Sequence, residues 1–529
     1  MFHARSRKKS KKIPAPTHPR APRPRIKGMR PTIAAASAGI ACAAVAVATA
    51  QLAAAAVAPG SAPIAAIGAA VVDAVPEPVK EFAIRTFGAN DKLVLLAGIG
   101  AALAVLAAAT GVVARRRLWV GYAVLALLGG AGAAAALTRP AASPWWALPS
   151  LAGAACGAVV LALLLRGRPD REAEGRAVPG RAVDRRGVLI ALAGAGIAGA
   201  AGWRLGGTGD LEAARSAVDL PEPASVGPAG TGLDVDGLTP YLTPNADFYR
   251  VDTALVLPRV LPEDYRLRVF GRVANPMELT FQDLLDRDLV EREITISCVS
   301  NEVGGTLAGN ARWLGVSLAE LLAEAGPEPG ADQVVSRSAD GWTAGTPTAV
   351  CTDGRDALIA VGMNGEPLPL EHGFPVRMIV PGLYGYVSAT KWLTEIELSS
   401  FADFDAYWVR RDWAAEAPIK TFSRIDTPKP LKTVPAGPTA VAGVAWAQQR
   451  GIARVEVRVD EGPWNDADLA PVIGNDTWRQ WQWTWEAEPG RRKLEVRATA
   501  GDGEVQTGER VTPFPDGATG WHSVVLNAE

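Results

Sequence analysis

The amino-acid sequence predicts three structural parts in order: an N-terminal bundle of about five transmembrane helices, an α+β domain, and an immunoglobulin-like β-sandwich. Long apolar segments fill the first 205 residues, short strands with one capped helix occupy 265–400, and regular strands follow. The 529 residues are enough for several domains. We therefore divide the chain into a tail at 1–31, a transmembrane anchor at 32–205, a linker at 206–236, an α+β domain at 237–415 and a β-sandwich at 416–529.

The first 31 residues are basic and rich in proline, without a single carboxylate. Proline disfavours helix and like charges repel each other, so this tail is predicted to be disordered. The whole chain has a formal net charge of −1 at pH 7. This balance gives no reason to expect nucleic acid as a partner.

Five apolar segments follow the tail, and most are long enough to cross the hydrocarbon layer, which takes about 20 helical residues. The alternative is a signal peptide followed by alanine-rich soluble helices. Segments this free of charge have no polar face to turn towards water, which favours membrane spans. The sequence thus predicts a multi-pass protein of the cell membrane, in contact with lipid, with spans at 32–58, 93–114, 118–138, 145–165 and 187–205.

Basic residues predict the direction of these spans. The tail, the triplet 115–117 and the loop 166–186 are basic, and they alternate with the 59–92 and 139–144 loops. Since short cytoplasmic loops are enriched in Lys and Arg, the N-terminus is expected in the cytoplasm and everything after residue 205 outside it. The stretch "RRGVLIALAGAGIAGAAG", from Arg185, is either a twin-arginine export signal or the basic flank of the fifth span. Both interpretations export the C-terminal half.

Alternating side chains predict the strands of the exported half. "YRLRVFGRV" and "REITIS" alternate apolar with polar or small residues, as half-buried strands do. In "VSLAELLAEAGPEPG", Ser317 and Glu320 form a capping box before a helix that Gly326 ends. Further on, "IARVEVRVDEGPW" and "WQWTW" alternate in the same way between turn residues, which predicts the immunoglobulin-like sandwich.

One cysteine has a context that indicates chemistry. In "ITISCVSNEVGG", Cys298 ends a strand and precedes a glycine-containing turn. A thiolate is the soft ligand that thiophilic metals require, but one cysteine cannot complete a structural zinc site. The alternative is a thiol couple or disulfide between Cys298 and Cys351. None of the four histidines lies in a predicted span and no Cys-x-x-Cys-His occurs, so no haem is expected in this chain.

Six pieces of the C-terminal half occur in this order: "TPNADFYR", "TISCVSNEVGG", "ARWLGVSLAELL", "SADGWTAGTP", "MNGEPLPLEHGFPVRMIVPGLYGYVSATKWL" and "YWVRRDW". Through these collinear pieces, residues 237–525 resemble the sulfite oxidase superfamily of molybdopterin enzymes, and the segment beyond 419 looks like the family's dimerisation domain. The resemblance implies an oxidoreductase domain that binds a molybdenum-molybdopterin cofactor, with Cys298 as the protein ligand of the metal, and it is compatible with a homodimer.

The same resemblance implies a set of cofactor-binding residues. Arg377 and Lys391 are the cations expected at the phosphate end of the pterin, which needs fixed positive charge. Taken singly, each residue has an ordinary explanation, such as a core histidine at 372 or a turn residue at Asn245. The full set is Asn245, Tyr249, Arg250, Ser338, His372, Arg377, Ser388, Thr390 and Lys391.

Two departures from the family pattern bear on the substrate. Sulfite oxidases carry arginines after the cysteine, whereas this chain has Glu302, and their active-site tyrosine is replaced here by Asp405. Added negative charge argues against an anionic substrate, although Arg312, Arg337 or Arg410 could restore a cationic pocket. We include Cys298, Asp405 and Arg312 as candidate catalytic residues.

The sequence therefore predicts a molybdopterin-dependent oxidoreductase that transfers an oxygen atom to or from a small sulfur- or nitrogen-oxide substrate outside the cytoplasm. Because the chain has no haem-binding motif, electrons are expected to pass to or from a separate carrier or membrane redox partner. The alternatives are a non-catalytic surface protein that keeps the fold, and a thiol-redox protein that uses Cys298 and Cys351.

Overall fold

The N-terminal part of the chain is a bundle of apolar helices in this computed structural model. The structure describes residues 31–76, 79, 82, 86–87, 91–139, 142–165, 183 and 185–529, so the predicted basic tail and most of the 166–186 loop lie outside the described residues. The helices of this part are α1 (Pro31–Val57), α2 (Pro63–Ala74), α3 (Asp91–Ala114), α4 (Leu118–Leu137), α5 (Leu148–Leu164) and α6 (Arg185–Leu205).

Four of these helices are long and apolar enough to cross a membrane: Thr32–Val57, Lys92–Ala114, Leu118–Leu137 and Pro144–Leu164, the last including a short 3-10 turn before α5. The fifth predicted span, 187–205, lies within α6, of which Arg186–Gly202 is an apolar stretch. It packs along α1. The predicted 59–92 loop also contains a helix, α2.

Small residues let the bundle helices approach closely. A Cβ atom on Gly39 of α1 would lie 2.0 Å from the carbonyl oxygen of Ala107 in α3. Without a hydrophobic driving force between helices in lipid, such close backbone packing is what holds helices together there. Glycine at position 39 is therefore required by the close contact between α1 and α3.

The α+β domain is built on two sheets. One has the order β1-β4-β5-β8-β10, with β9 paired to β8, and the other has the order β3-β2-β11-β6-β7. Pairing is antiparallel except between β1 and β4 and between β2 and β11. The strands are β1 (Ser225–Val226), β2 (Arg266–Gly271), β3 (Met277–Thr280), β4 (Val290–Ser297), β5 (Ala308–Ser317), β6 (Gln333–Ser338), β7 (Thr343–Pro347), β8 (Leu358–Met363), β9 (Glu366–Pro367), β10 (Arg377–Ile379) and β11 (Leu393–Ser399).

Short helices connect these strands: α7 (Gly209–Ser216), α8 (Phe281–Leu285), α9 (Leu318–Ala325), α10 (Thr348–Cys351) and α11 (Gly385–Ser388). The predicted helix after the cysteine loop is α9, where Ser317 Oγ accepts a hydrogen bond from Glu320 N–H at 3.3 Å and Gly326 adopts a positive φ of 66°. Residues 206–236, expected to form a linker, contain α7 and β1. Leu211 of α7 is buried in the domain core, so this segment packs as part of the domain.

Two further sheets enclose a separate core in the C-terminal part. Their orders are β12-β14-β18-β17 and β13-β20-β19-β15-β16, and Val457, Trp481 and Leu526 meet between them. The strands are β12 (Phe422–Thr427), β13 (Thr433–Val434), β14 (Gly437–Trp446), β15 (Ile452–Val459), β16 (Asn465–Asp466), β17 (Asp468–Leu469), β18 (Arg479–Ala487), β19 (Gly490–Ala500) and β20 (His522–Ala528). The predicted valine and tryptophan alternation thus fills the core of a two-sheet sandwich; its immunoglobulin-like character stays a prediction.

A buried hydrogen-bond cluster joins the sandwich to the α+β domain beside the cysteine strand. Thr295 Oγ accepts from the Trp478 N–H at 2.7 Å and donates to Asn310 Oδ1 at 3.0 Å. Trp478 Nε1 and Asn310 Nδ2 both donate to the carbonyl of Tyr241, at 2.8 and 3.1 Å. Buried polar groups must be paired, so this cluster fixes the position of one domain against the other.

We predict that Thr295→Val destabilises the protein by about 1–3 kcal/mol, because it leaves the Trp478 N–H and Asn310 Oδ1 buried without a partner. Thr295→Ser keeps the hydroxyl and loses only a methyl group, worth about 0.8 kcal/mol. Thermal unfolding of the three detergent-solubilised proteins measures the difference. Equal melting temperatures for the valine and serine variants would contradict the assigned role of the hydroxyl.

Candidate active site

The cysteine singled out by the sequence lies in a tight loop directly after β4. The Cys298 N–H donates to the Leu307 carbonyl at 2.9 Å, and its own carbonyl accepts from the Asn301 N–H at 3.1 Å. Asn301 Oδ1 in turn accepts from the Leu307 N–H at 2.9 Å. Cys298 is half-buried, and burial raises the pKa of its thiol. The backbone of this loop is therefore fixed by its own hydrogen bonds.

The sandwich supports the same loop from its far side. Gly304 has a φ of 80°, and a Cβ atom at this position would lie 2.2 Å from Cδ2 of His522 in β20. Arg424 of β12 donates from Nη1 to the Gly305 carbonyl at 2.8 Å. The two glycines are thus required by a close approach, and the C-terminal domain helps to hold Cys298 in place.

Arg377, at the start of β10, is buried without a carboxylate partner. It donates from Nη1 to the His372 carbonyl at 3.1 Å and lies 5.0 Å from the ring centre of Trp313. Among the described residues no carboxylate lies within ion-pair distance, and the buried Nε has no hydrogen-bond partner. Burial lowers the pKa of Arg377 to about 10. A buried guanidinium in this state is a site for an anion.

Lys391 is the second cation of the site. Its Nζ donates to Asp252 Oδ2 at 3.1 Å and to the Glu371 carbonyl at 2.9 Å, and its side chain is 11% exposed. Burial lowers the pKa of Lys391 to about 8, although Asp252 opposes the shift. The amine is therefore held close to its titration point unless a further anion stabilises its charge.

His372 and Asn245 fix the segments on either side of these cations. His372 is 2% exposed and its Nε2 lies 3.1 Å from the Asn245 carbonyl. Burial, followed by the charges of Lys391 and Arg377, lowers the pKa of His372 to about 3. The ring is consequently neutral, and its Nε2 must carry the proton that it donates to the carbonyl. The Asn245 side chain is itself held by Asn364 Nδ2 at 2.8 Å.

The remaining predicted cofactor residues surround this centre. Tyr249 stacks on Phe248, and burial and then the nearby Cys298 thiol raise the pKa of its hydroxyl, whereas Arg377 lowers it. Ser388 donates to the Tyr384 carbonyl at 3.0 Å. Buried Ser338 accepts a hydrogen bond from the Asp340 N–H at 3.4 Å. The hydroxyl oxygen of Thr390 lies 2.6 Å from that of Ser336. Arg250 is exposed and donates to Asp252 at 2.9 Å.

The structure does not bring Arg312 and Asp405 together with Cys298. Arg312 pairs with Glu293 at 3.1 Å and Glu291 at 3.6 Å, its cross-strand and diagonal neighbours on β4. Asp405 lies on an exposed loop. Arg337 is likewise paired with carboxylates, Glu395 and Glu397, and Arg410 is exposed. A cationic pocket at Cys298 would therefore depend on Arg377 and Lys391.

Two residues of this site were missed from the sequence. Asp252 binds Lys391 and Arg250, and although burial opposes its ionisation, Lys391, Lys92 and Arg250 hold its pKa well below the usual range. Trp313 provides the ring beneath Arg377. A lone aspartate two residues after Arg250 has no distinctive spacing, and a tryptophan on a buried strand is usually core.

Comparison with known proteins decides the family. Residues 254–408 match the family model of the oxidoreductase molybdopterin binding domain. The sulfite oxidase of Gallus gallus is 30% identical over 313 residues, which covers 50% of this chain and 67% of that enzyme. The chain belongs to the sulfite oxidase superfamily of molybdopterin oxidoreductases. This confirms the resemblance found in the sequence.

Three further known proteins are similar to parts of this chain. The mitochondrial sulfite oxidase of Homo sapiens is 29% identical over 314 residues, and the uncharacterized oxidoreductase YuiH of Bacillus subtilis is 34% identical over 149 residues, 28% of this chain and 72% of that protein. The chain spans 56% of the length of the human enzyme, whose alignment covers 50% of this chain. The crystal structure of the sulfane dehydrogenase SoxCD from Paracoccus pantotrophus superposes with a TM-score of 0.48 and 23% identity, over 55% of this chain and 84% of that one.

The residues of the site fit the molybdopterin cofactor that the family implies. Buried Arg377 Nε and Asn301 Nδ2 have no partner, as expected of donors that await a polar ligand. Among the described residues no group of three His, Cys, Asp or Glu side chains could hold a metal ion. Cys298 would be the protein ligand of molybdenum, and Arg377 and Lys391 would hold the phosphate of the cofactor. Asn245, Tyr249 and His372 would border the pterin.

We predict that acid destabilises the protein through His372. Because its folded pKa of about 3 lies below the ordinary value of 6.5, stability is lost as pH falls from 6.5 towards 3, at about 1.4 kcal/mol per pH unit. The variant His372→Gln keeps a donor for the Asn245 carbonyl and cannot protonate. Its melting temperature should fall less than that of the wild type between pH 7 and pH 4.5. Parallel declines would show that His372 is not buried in its neutral form.

Proposed function

We propose that this protein is a membrane-anchored molybdopterin enzyme that transfers an oxygen atom to or from a small sulfur- or nitrogen-oxide substrate. One observation carries the proposal: a single cysteine in a fixed loop lies in the same site as two buried cations, Arg377 and Lys391, with too few carboxylates to balance them. The thiol suits a thiophilic metal, and the cations suit a phosphate.

When bound, the cofactor supplies two-electron oxygen-atom transfer at molybdenum. The chain supplies the rest. Cys298 provides a thiolate donor, and the fixed backbone of its loop sets the direction of the sulfur. The neutral ring of His372 and the backbone contacts of Arg377 keep the cofactor segments in place without reorganisation. Such preorganised groups lower the cost of reaching the transition state.

The charge around Cys298 bears on the substrate. Glu302, four residues after Cys298, is exposed, and Arg312 and Arg337 are engaged by carboxylates. The local chain therefore offers little beyond Arg377 and Lys391 to attract a dianion, and those two are assigned to the phosphate. This distribution favours a neutral sulfoxide or N-oxide over sulfite as the substrate.

The contacts of the bundle support an active site outside the cytoplasm. Asp73, at the end of α2, pairs with Arg139 at 2.8 Å and accepts a hydrogen bond from Tyr407 of the α+β domain at 3.0 Å. The 59–92 and 139–144 loops and the enzyme domain therefore meet on one face of the bundle. The basic triplet 115–117 belongs to the α3–α4 connection, and a cytoplasmic position for it would place the domain outside.

Two further assignments complete the proposal. The resemblance of the sandwich to the family's dimerisation domain supports a homodimer, and a separate electron carrier or membrane partner would exchange electrons with the metal. The thiol-redox alternative gains no support, because Cys298 and Cys351 are both free thiols and Cys351 is fully buried, with its pKa raised to about 12 by burial.

We predict that protein purified in detergent from a host that makes the cofactor contains about one molybdenum and one pterin per chain. Elemental analysis and the fluorescence of the released, oxidised pterin measure the two quantities. Reduction of sulfoxides and N-oxides and oxidation of sulfite are then assayed with artificial electron donors and acceptors. Absence of both molybdenum and pterin would instead favour a non-catalytic surface protein.

We further predict that Cys298→Ser abolishes turnover, because a neutral hydroxyl is a poor substitute for a thiolate on molybdenum. The protein should still fold, since the loop is held by backbone bonds and by Asn301. Cys351→Ala is the matched control, a cysteine replacement in the core away from the site. It should lower stability modestly and keep turnover. Normal turnover in the serine variant would refute the mechanism.

A further inference from the structure

The membrane bundle contributes a charged side chain to the site. Lys92, the second residue of α3, donates to Asp252 Oδ1 at 2.5 Å and to the Ala254 carbonyl at 2.9 Å. The other carboxylate oxygen, Oδ2, accepts from Arg250 Nε at 2.9 Å and Lys391 Nζ at 3.1 Å. Asp252 therefore lies between a membrane helix and the cation assigned to the cofactor.

Apolar packing holds the two parts together at this point. A Cβ atom on Gly68 of α2 would lie 2.8 Å from Cδ1 of Leu255, and Ile99 and Leu96 of α3 lie within 4 Å of the same position. The segment from Asp252 to Leu255 is thus seated against α2 and α3. Lys92 is consequently brought to Asp252 by a packed surface that both helices share.

The charges around Asp252 explain why a third cation matters. The Asp252 side chain is 7% exposed, so its negative charge is poorly screened by water. If Lys391 were the only cation paired with Asp252, the two charges would cancel and Lys391 would attract an incoming anion only weakly. Lys92 and Arg250 add two positive charges on the same carboxylate, and Arg250 is 40% exposed and hence weaker. Lys92, at 28% exposed, is the better shielded of the two.

We propose that Lys92 is a positioning residue for the molybdopterin site. Its positive charge offsets the negative charge of Asp252, so that the positive charge of Lys391 can attract the phosphate end of the cofactor. This inference rests on the proposed cofactor function. It gives the helical bundle a role beyond anchoring. The positive charge at the phosphate site depends on Lys92 of α3, the second of the helices that are long and apolar enough to span a membrane.

The test compares cofactor retention in full-length variants. Wild type, Lys92→Met and Lys92→Arg are purified in the same detergent, and molybdenum and pterin fluorescence per chain are followed over time after dilution at pH 7. Loss of a supporting charge is expected to speed cofactor release from Lys92→Met about tenfold or more. Lys92→Arg should retain the cofactor as the wild type does. If Lys92→Met does not accumulate, Lys92→Gln takes its place with the same expectation.

Two further variants separate charge from simple docking. The effect of Lys92→Met is also measured in an Asp252→Asn background, where it should change the release rate by less than about threefold, because Lys92 acts through the Asp252 charge. Asp73→Ala removes a different polar contact between bundle and domain, the acceptor of the Tyr407 hydroxyl, which does not involve Asp252, and should leave retention unchanged.

The outcomes are distinguishable. Wild-type retention in Lys92→Met, or a tenfold effect of Lys92→Met that persists in the Asp252→Asn background, would overturn the inference while leaving the proposed function intact. Equal losses in Asp73→Ala and Lys92→Met would show that Lys92 acts only by docking, and would overturn it as well. A wild-type protein without molybdenum and pterin would refute the proposed function together with the inference.

Discussion

The structure depends on one electrostatic constraint: two cations, Arg377 and Lys391, are buried in the domain that carries Cys298, and of the two only Lys391 has a carboxylate partner, Asp252, among the described residues. Burying charge is costly unless it is paired, and this pairing is incomplete within the chain. Backbone carbonyls accept hydrogen bonds from Arg377 and Lys391, and the Trp313 ring lies against Arg377, so these contacts partly stabilise the two buried charges. An anionic cofactor would neutralise the excess positive charge.

All three structural parts converge on this site. The strand β4 delivers Cys298, the sandwich supports the following loop through His522 and Arg424, and α3 brings Lys92 to Asp252. Each contribution is rigid for a local physical reason: a β-ladder, a close approach that only glycine permits, and a packed helix surface. Because the helical bundle and the α+β domain belong to one chain, the contact between Lys92 and Asp252 is intramolecular.

Much of this architecture could be predicted from local patterns. The alternation of apolar and polar residues predicted β4 and β15, and the capping serine at 317 predicted α9. Collinear motifs identified the family and the residues around Cys298. Long-range pairing could not be predicted. Asp252 and Lys391 are 139 residues apart, and nothing local marks the aspartate. Arg312 stays a candidate by resemblance, but its pairing with Glu293 across the strands could not be predicted. The segment predicted as the fifth span lies within α6, whereas composition does not mark Leu211, in the segment expected to be a linker, as a core residue.

The central claim is that Cys298 binds molybdenum held in a site of buried positive charge. X-ray absorption at the molybdenum edge tests it most directly, because the metal–sulfur shell counts the thiolate ligands without reference to turnover. The account predicts that wild-type protein shows one more sulfur ligand than Cys298→Ser, while Cys351→Ala matches the wild type. An identical sulfur shell in the wild type and Cys298→Ser would contradict the account.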